Sequence, residues 1–141
     1  MLKFLGAPYP IVKTPRGLLP TQNGINQIKS DLLCLLLTNP GERCMLPDFG
    51  TPLRELIFDP NDSTLVEKAK EMIINSIKLW EPRISVSQID VFTGADNIRL
   101  NSNDLRQDVE HILSIIIKFV DPENIQQVQE LKLELPLAQG A

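Results

Sequence analysis

Catalysis needs a constellation of groups, and few residues of this chain can supply one. His111 is the single histidine, so a histidine-based metal site, or a Ser-His-Asp or Cys-His arrangement, has only one member available. At the head of an apolar run it reads as structural. No GxxxxGK or GxGxxG spacing is present to cradle a phosphate. Carboxylate chemistry remains: Glu42 shares one stretch with Asp48, Glu55 and Asp59, and glycoside hydrolysis needs only two acids across the bond. Yet 18 acidic residues in 141 produce such pairs by chance, and aromatics for a sugar platform make up only 5%. Solvated or ion-paired carboxylates are the competing reading.

A second unusual segment is LWEPRI, residues 79–84. Pro82 fixes its own φ, removes a backbone donor and pushes Glu81 out of the helical region. In an extended segment Glu81 and Arg83 share a face. They then form a compact bipolar patch that another chain can meet with opposite charge and hydrogen bonds, supported by Trp80, Pro82 and Ile84. The same spacing also suits exposed charges that only solvate a helix-to-strand corner, where Arg83 would contribute little to stability. Neither segment implies a cofactor or a metal.

These residues must be held by regular elements. Pro8, Pro10, Pro15 and Pro20 among Leu2, Phe4, Leu5, Ile11, Leu18 and Leu19 predict an extended arm over 1–20, laid against a single domain over 21–141. Ile25, Ile28, Leu32, Leu35 and Leu36 recur at helical spacing up to Asn39-Pro40-Gly41, predicting a helix over about residues 22–38. Asp62, Ser63 and Thr64 offer caps for a second helix, and Thr64 with Glu67 has capping-box spacing. Its stripe of Leu65, Ala69, Met72, Ile73, Ile77 and Trp80 ends at Pro82.

From Ile84 the period becomes two, with a change of parity that predicts a bulge near Gln88. Turn signals in 92–97 and 101–108 flank a strand around Ile98 to Leu100. HILSIIIKFV, with apolar residues on both faces, predicts a central, largely covered strand. ELKLEL alternates as a half-buried or edge strand. The fold class is therefore α+β, with two main helices on a small, mainly antiparallel sheet. Between the helices, residues 38–62 form a long connection. Gly41 and Pro47 shape it, and Phe49, Leu53, Leu56, Ile57 and Phe58 are expected to pack beneath it around a short helix from Pro52. Ordered connections of that length are disproportionately functional.

Composition narrows the classes further. The chain is 43% hydrophobic and 23% charged, with a net charge of −4. No basic stripe suits a phosphate backbone, so no nucleic-acid partner is expected. Pro8 and Pro10 interrupt the opening apolar patch, and Leu32–Leu37 is too short to span a bilayer, so neither export nor a membrane partner is expected. Cys34 and Cys44 read as reduced thiols.

Pro40-Gly41-Glu42-Arg43, Pro47-Asp48-Phe49-Gly50 and Leu53-Arg54, followed by Glu81-Pro82-Arg83-Ile84, resemble the lysozyme-like baseplate wedge family of contractile-tailed phages. That family includes the baseplate subunit of type VI secretion systems. Cys44 stands where the family pattern has an aliphatic residue, and the arm and the strands after Gly94 match only in pattern. The resemblance implies a non-catalytic virion structural protein of the tail baseplate, assembled in the host cytoplasm. Six copies would surround the tail axis, join other wedge proteins and initiate the tail sheath. It implies that Glu81, Pro82 and Arg83, beside Trp80, contact the helical core bundle of neighbouring wedge subunits. It also implies that the sheet templates the first ring of sheath protein, through backbone pairing with ELKLEL. Peptidoglycan glycosidase activity, from which the family takes its name, is the alternative function, and the type VI subunit is the alternative setting.

Overall fold

The computed structural model describes residues 5–60, 62–93, 112–121 and 125–136, with the side chain of Ile57 outside the described set. Helix α1, Gly24–Leu37, buries Ile28, Leu32, Leu35 and Leu36 on the face that the spacing predicts. Thr38 ends it, returning both its N–H (3.0 Å) and its hydroxyl (2.6 Å) to the Cys34 carbonyl before Pro40 and Gly41 bar continuation. Helix α2, Ser63–Trp80, buries Leu65, Ala69, Ile73 and Ile77. Its cap is Asp62, whose carboxylate accepts the Leu65 N–H at 3.1 Å, so the helix starts before the predicted Thr64 box. An aspartate there also meets the positive end of the helix dipole.

Strands β1 (Ser85–Phe92), β2 (Ile112–Val120) and β3 (Val128–Pro136) pair antiparallel in the order β1-β2-β3. The register of β1 slips between Val86 and Gln88, the predicted bulge, which carries Ile89 and Val91 onto the buried face. Leu113, Ile115, Ile117 and Phe119 of β2 are at most 1% exposed and form the floor of the core under the helices. The opposite face of β2 is less covered than predicted. Ile112, Ile116 and Val120 there are only half-buried, beside polar neighbours such as Asp90, Glu130 and Lys132. β3 forms an edge among the described residues, with Leu131, Leu133 and Leu135 turned inward and Lys132 and Glu134 outward. The predicted strand around Ile98–Leu100, the turn through 101–108 and His111 lie outside the described residues.

The arm reaches the body at its start. Gly6 and Gln22 exchange two backbone hydrogen bonds of 2.9 and 2.8 Å, Pro8 is buried, and the Tyr9 N–H donates to Ser30 Oγ at 3.2 Å. Past Pro10 the arm turns at Thr14–Leu18, leaving Ile11, Val12, Leu18 and Leu19 exposed. Among the described residues no helix is long and apolar enough to cross a membrane.

Candidate functional site

The corner after α2 is built by Pro82. The Glu81 N–H still donates to the Ile77 carbonyl at 2.8 Å, and the Ile84 N–H then returns to the Glu81 carbonyl at 3.5 Å, closing a turn. Pro82 sits at the second turn position, where its fixed φ suits the geometry. The corner is therefore a turn and not the extended segment in which the two charges would share a face, and Glu81 and Arg83 face each other instead.

Arg83 forks onto Glu81, with Nε donating to Oε1 at 2.5 Å and Nη2 to Oε2 at 2.6 Å. Its Nη2 also donates to Asp31 Oδ2 of α1 at 2.7 Å, and Asp31 Oδ1 accepts from Gln27 Nε2 at 2.7 Å. The Glu81 side chain is only 7% exposed, against 37% for Arg83. Hydrogen bonding to Glu81 holds the guanidinium above its ordinary pKa; burial opposes this and Asp31 adds to it. Bidentate, charge-assisted contacts of this kind fix orientation as well as charge. They also correct the expectation that Arg83 contributes little: removing it would strand a buried carboxylate. Asp31 and Gln27 are absent from the sequence-based candidates. The signal for them is a polar pair at i, i+4 on a helix that is otherwise strongly apolar.

The connection before the short 3-10 helix Leu53–Phe58 closes on itself. The Gly41 N–H donates to the Pro47 carbonyl at 2.7 Å, and the Thr51 N–H to the Thr38 carbonyl at 2.9 Å. Gly41 and Gly50 adopt φ of +92° and +129°, conformations that favour glycine. The Gly50 carbonyl accepts the buried Ser76 hydroxyl at 3.2 Å, stapling the loop to α2. Arg43 lies over the Phe49 ring at 4.7 Å, and Phe49 meets the half-buried Trp80 edge-on at 5.3 Å. Glu42 pairs with Arg54 at 2.8 Å and accepts the Asn39 N–H at 3.0 Å. Leu53 and Leu56 are buried as expected, but Phe58, the last residue of the 3-10 helix, is 85% exposed. Pro40, Pro47 and Asp48 are exposed, and Asp48 makes no ion pair among the described residues.

A cavity of about 670 Å³ opens between this loop and the C-terminal parts of α1 and α2, with Asp31, Glu42, Arg43, Phe49, Trp80 and Glu81 among its walls. It holds carboxylates beside aromatics, but each carboxylate is engaged: Asp31 and Glu81 by Arg83, Glu42 by Arg54. Outside it, Asp59 is held by Lys68 at 2.9 Å. These pairs occupy Glu42 and Asp59 of the candidate acids, while Asp48 and Glu55 make no ion pair among the described residues.

The profile of the family described as "Baseplate wedge protein gp25" matches residues 22–115. The chain is 24% identical over 112 residues to baseplate wedge protein gp25 of Enterobacteria phage T4, covering 79% of this chain and 75% of the phage protein. Its fold is similar to that of a Geobacter sulfurreducens protein provisionally called a tail lysozyme, with a TM-score of 0.63 at 23% identity, over 82% of this chain and 92% of that one. It is also similar to a chain of the anti-feeding prophage baseplate, with a TM-score of 0.62 at 16% identity, over 97% and 88% of the two chains. A chain of the post-contraction pyocin R2 baseplate gives 0.53 at 20% identity, over 94% and 98%.

Proposed function

The chain belongs to the baseplate wedge protein gp25 family, and from that premise we propose that it is a non-catalytic subunit that grips neighbouring wedge proteins at the Glu81–Arg83 corner and starts the tail sheath on its sheet. Relatives that carry the fold are baseplate components of contractile tails, which supports a place in the virion tail, assembled in the host cytoplasm. The 6-fold symmetry of the anti-feeding prophage baseplate supports six copies per baseplate. Residues 1–20 act as an arm on a single domain over 21–141.

The observation that carries the wedge contact is the fork of Arg83 on Glu81. A guanidinium clamped by two carboxylates cannot swing, so its exposed part meets a partner at no further cost in side-chain order. Its planar donors suit a partner carboxylate or helix-end carbonyls, and exposed Pro82 adds apolar contact. The sheath contact uses the β3 edge, whose backbone can add a strand in register, with Lys132 and Glu134 selecting its side chains.

Arg83→Lys keeps the charge and loses the fork. Coproduction with the wedge and sheath proteins encoded beside the chain, followed by native mass spectrometry, should then show loss of the wedge complex from a folded variant. Normal assembly with both Glu81 and Arg83 replaced would remove the interface role. The glycosidase reading is tested by the isolated protein on purified peptidoglycan: turnover that disappears in Glu42→Gln would displace the assembly reading.

A further inference from the structure

An unbroken line of side-chain contacts joins the Glu81–Arg83 turn to the N-terminal arm, and we propose that Gln27 and Asp31 are positioning residues for Arg83 whose setting is fixed by the arm at Gly6. The functional consequence rests on the corner being the wedge contact; the positioning itself does not.

The line begins where the arm crosses α1. Gly6 is pinned to Gln22 through both its N–H and its carbonyl. At that point it lies so close to the Gln27 carboxamide that a Cβ at residue 6 would overlap the amide's nitrogen, carbon and oxygen. A Cβ at residue 6 would therefore force the carboxamide at the end of the Gln27 side chain to move, and since Gly6 is not among the glycines with positive φ, close approach is what glycine provides here. Gln27 is 7% exposed beneath this cover. Its Nε2 donates to Asp31, while its Oε1 is buried with no partner among the described residues. A carboxamide with one end unpaired has a single hydrogen bond to fix its rotation, so the steric lid at Gly6 supplies the rest.

Asp31 spends one oxygen on Gln27 and the other on Arg83, and Arg83 completes the line at Glu81. Lifting the arm would admit water to the Gln27 oxygen, free the amide to turn and remove the donor that aims Asp31. Arg83 would then keep its fork on Glu81 but no longer have Asp31 held in place to receive its Nη2. Linkage makes this reciprocal: a partner that binds Arg83 in its clamped setting favours the docked arm by the same factor. Contiguous networks of packed and hydrogen-bonded groups carry coupling of this kind, typically a few-fold to tens of fold in equilibrium.

The test reads Arg83 directly, as solvent exchange of its Nε proton by nuclear magnetic resonance of the isolated full chain. The signal is assigned by its loss in Arg83→Lys. Gly6→Ala and Gln27→Met should each speed that exchange about fivefold. Methionine matches glutamine in volume and removes the unpaired oxygen, so a role in packing alone predicts no change. Unchanged exchange in Gln27→Met overturns the positioning role, and this variant decides alone if Gly6→Ala fails to fold. Capture of the wedge proteins encoded beside the chain should weaken in step with exchange. If exchange shifts while capture is indifferent to every variant, Arg83→Lys included, the positioning role stands and the wedge contact falls.

Discussion

Replacing Arg83 with alanine separates a structural clamp from a pair of solvated charges. The substitution leaves the Glu81 carboxylate, 7% exposed, without its two donors, and Asp31 without one of its own. Breaking a fully buried pair by removing one partner costs about 3–5 kcal/mol. Here Arg83 and Asp31 are 37% and 35% exposed, so water screens part of the interaction, and about 2 kcal/mol is the expected loss. For a domain of this size that lowers the melting temperature by about 6–8 °C. Glu81→Ala alone should cost a similar amount, and the double variant clearly less than the sum, because the stranded charge is gone. The pKa of Arg83 is raised by folding, so its contribution is complete below the ordinary guanidinium value and is lost only as pH climbs through the still higher folded value. The deficit should therefore be constant between about pH 6 and 8. Chemical denaturation of the four proteins of this cycle provides the measurement. A loss below about 0.5 kcal/mol for Arg83→Ala, with additive singles, would refute the clamp.

Gly50→Ala should cost about 3 kcal/mol or more, from backbone strain at φ +129° and from a Cβ driven onto the Thr38 carbonyl; a near-neutral urea midpoint would contradict the tight loop closure. Leu56→Ala should lose about 2–5 kcal/mol and Phe58→Ala about 0.5 or less, since the first is 1% and the second 85% exposed; thermal melts of the pair would expose a reversed order. Burial, then the charge of Asp31, raises the Cys34 thiol pKa, with Arg43 opposing, so maleimide should label exposed Cys44 first and Cys34 slowly. Peptide mapping over a time course checks this, and equal rates would show that α1 does not shield its thiol.

Sequence periodicity was most informative where a single face decides the element. The apolar spacing in α1 and α2, and the parity change that becomes the bulge of β1, follow from burial on one side of a repeating backbone. The helix end at Thr38 and the turn at Pro82 follow from local covalent chemistry. Other features depend on contacts far apart in the chain. Asp31 meets Arg83 across 52 positions, a distance over which no periodic pattern reports. The direction of Phe58 was illegible because a 3-10 helix rotates its side chains differently from an α-helix, so a hydrophobic residue after Leu56 faces outward. The choice of Asp62 over Thr64 as cap reflects a competition between adjacent capping residues that composition cannot rank. For the candidate site, the Glu81-Pro82-Arg83 motif singled out a corner but not its geometry. The shared face of Glu81 and Arg83 required an extended segment, and the proline makes a turn there instead.

The clamp also determines how the corner would carry load. Arg83 lies between the end of α2 and the start of β1 in the chain, and its guanidinium is bonded sideways to α1. A pull applied there is divided at once among two helices and a strand, instead of peeling β1 from β2 one hydrogen bond at a time. A partner held there, as proposed, would therefore detach as a unit, at a threshold set by the packed core.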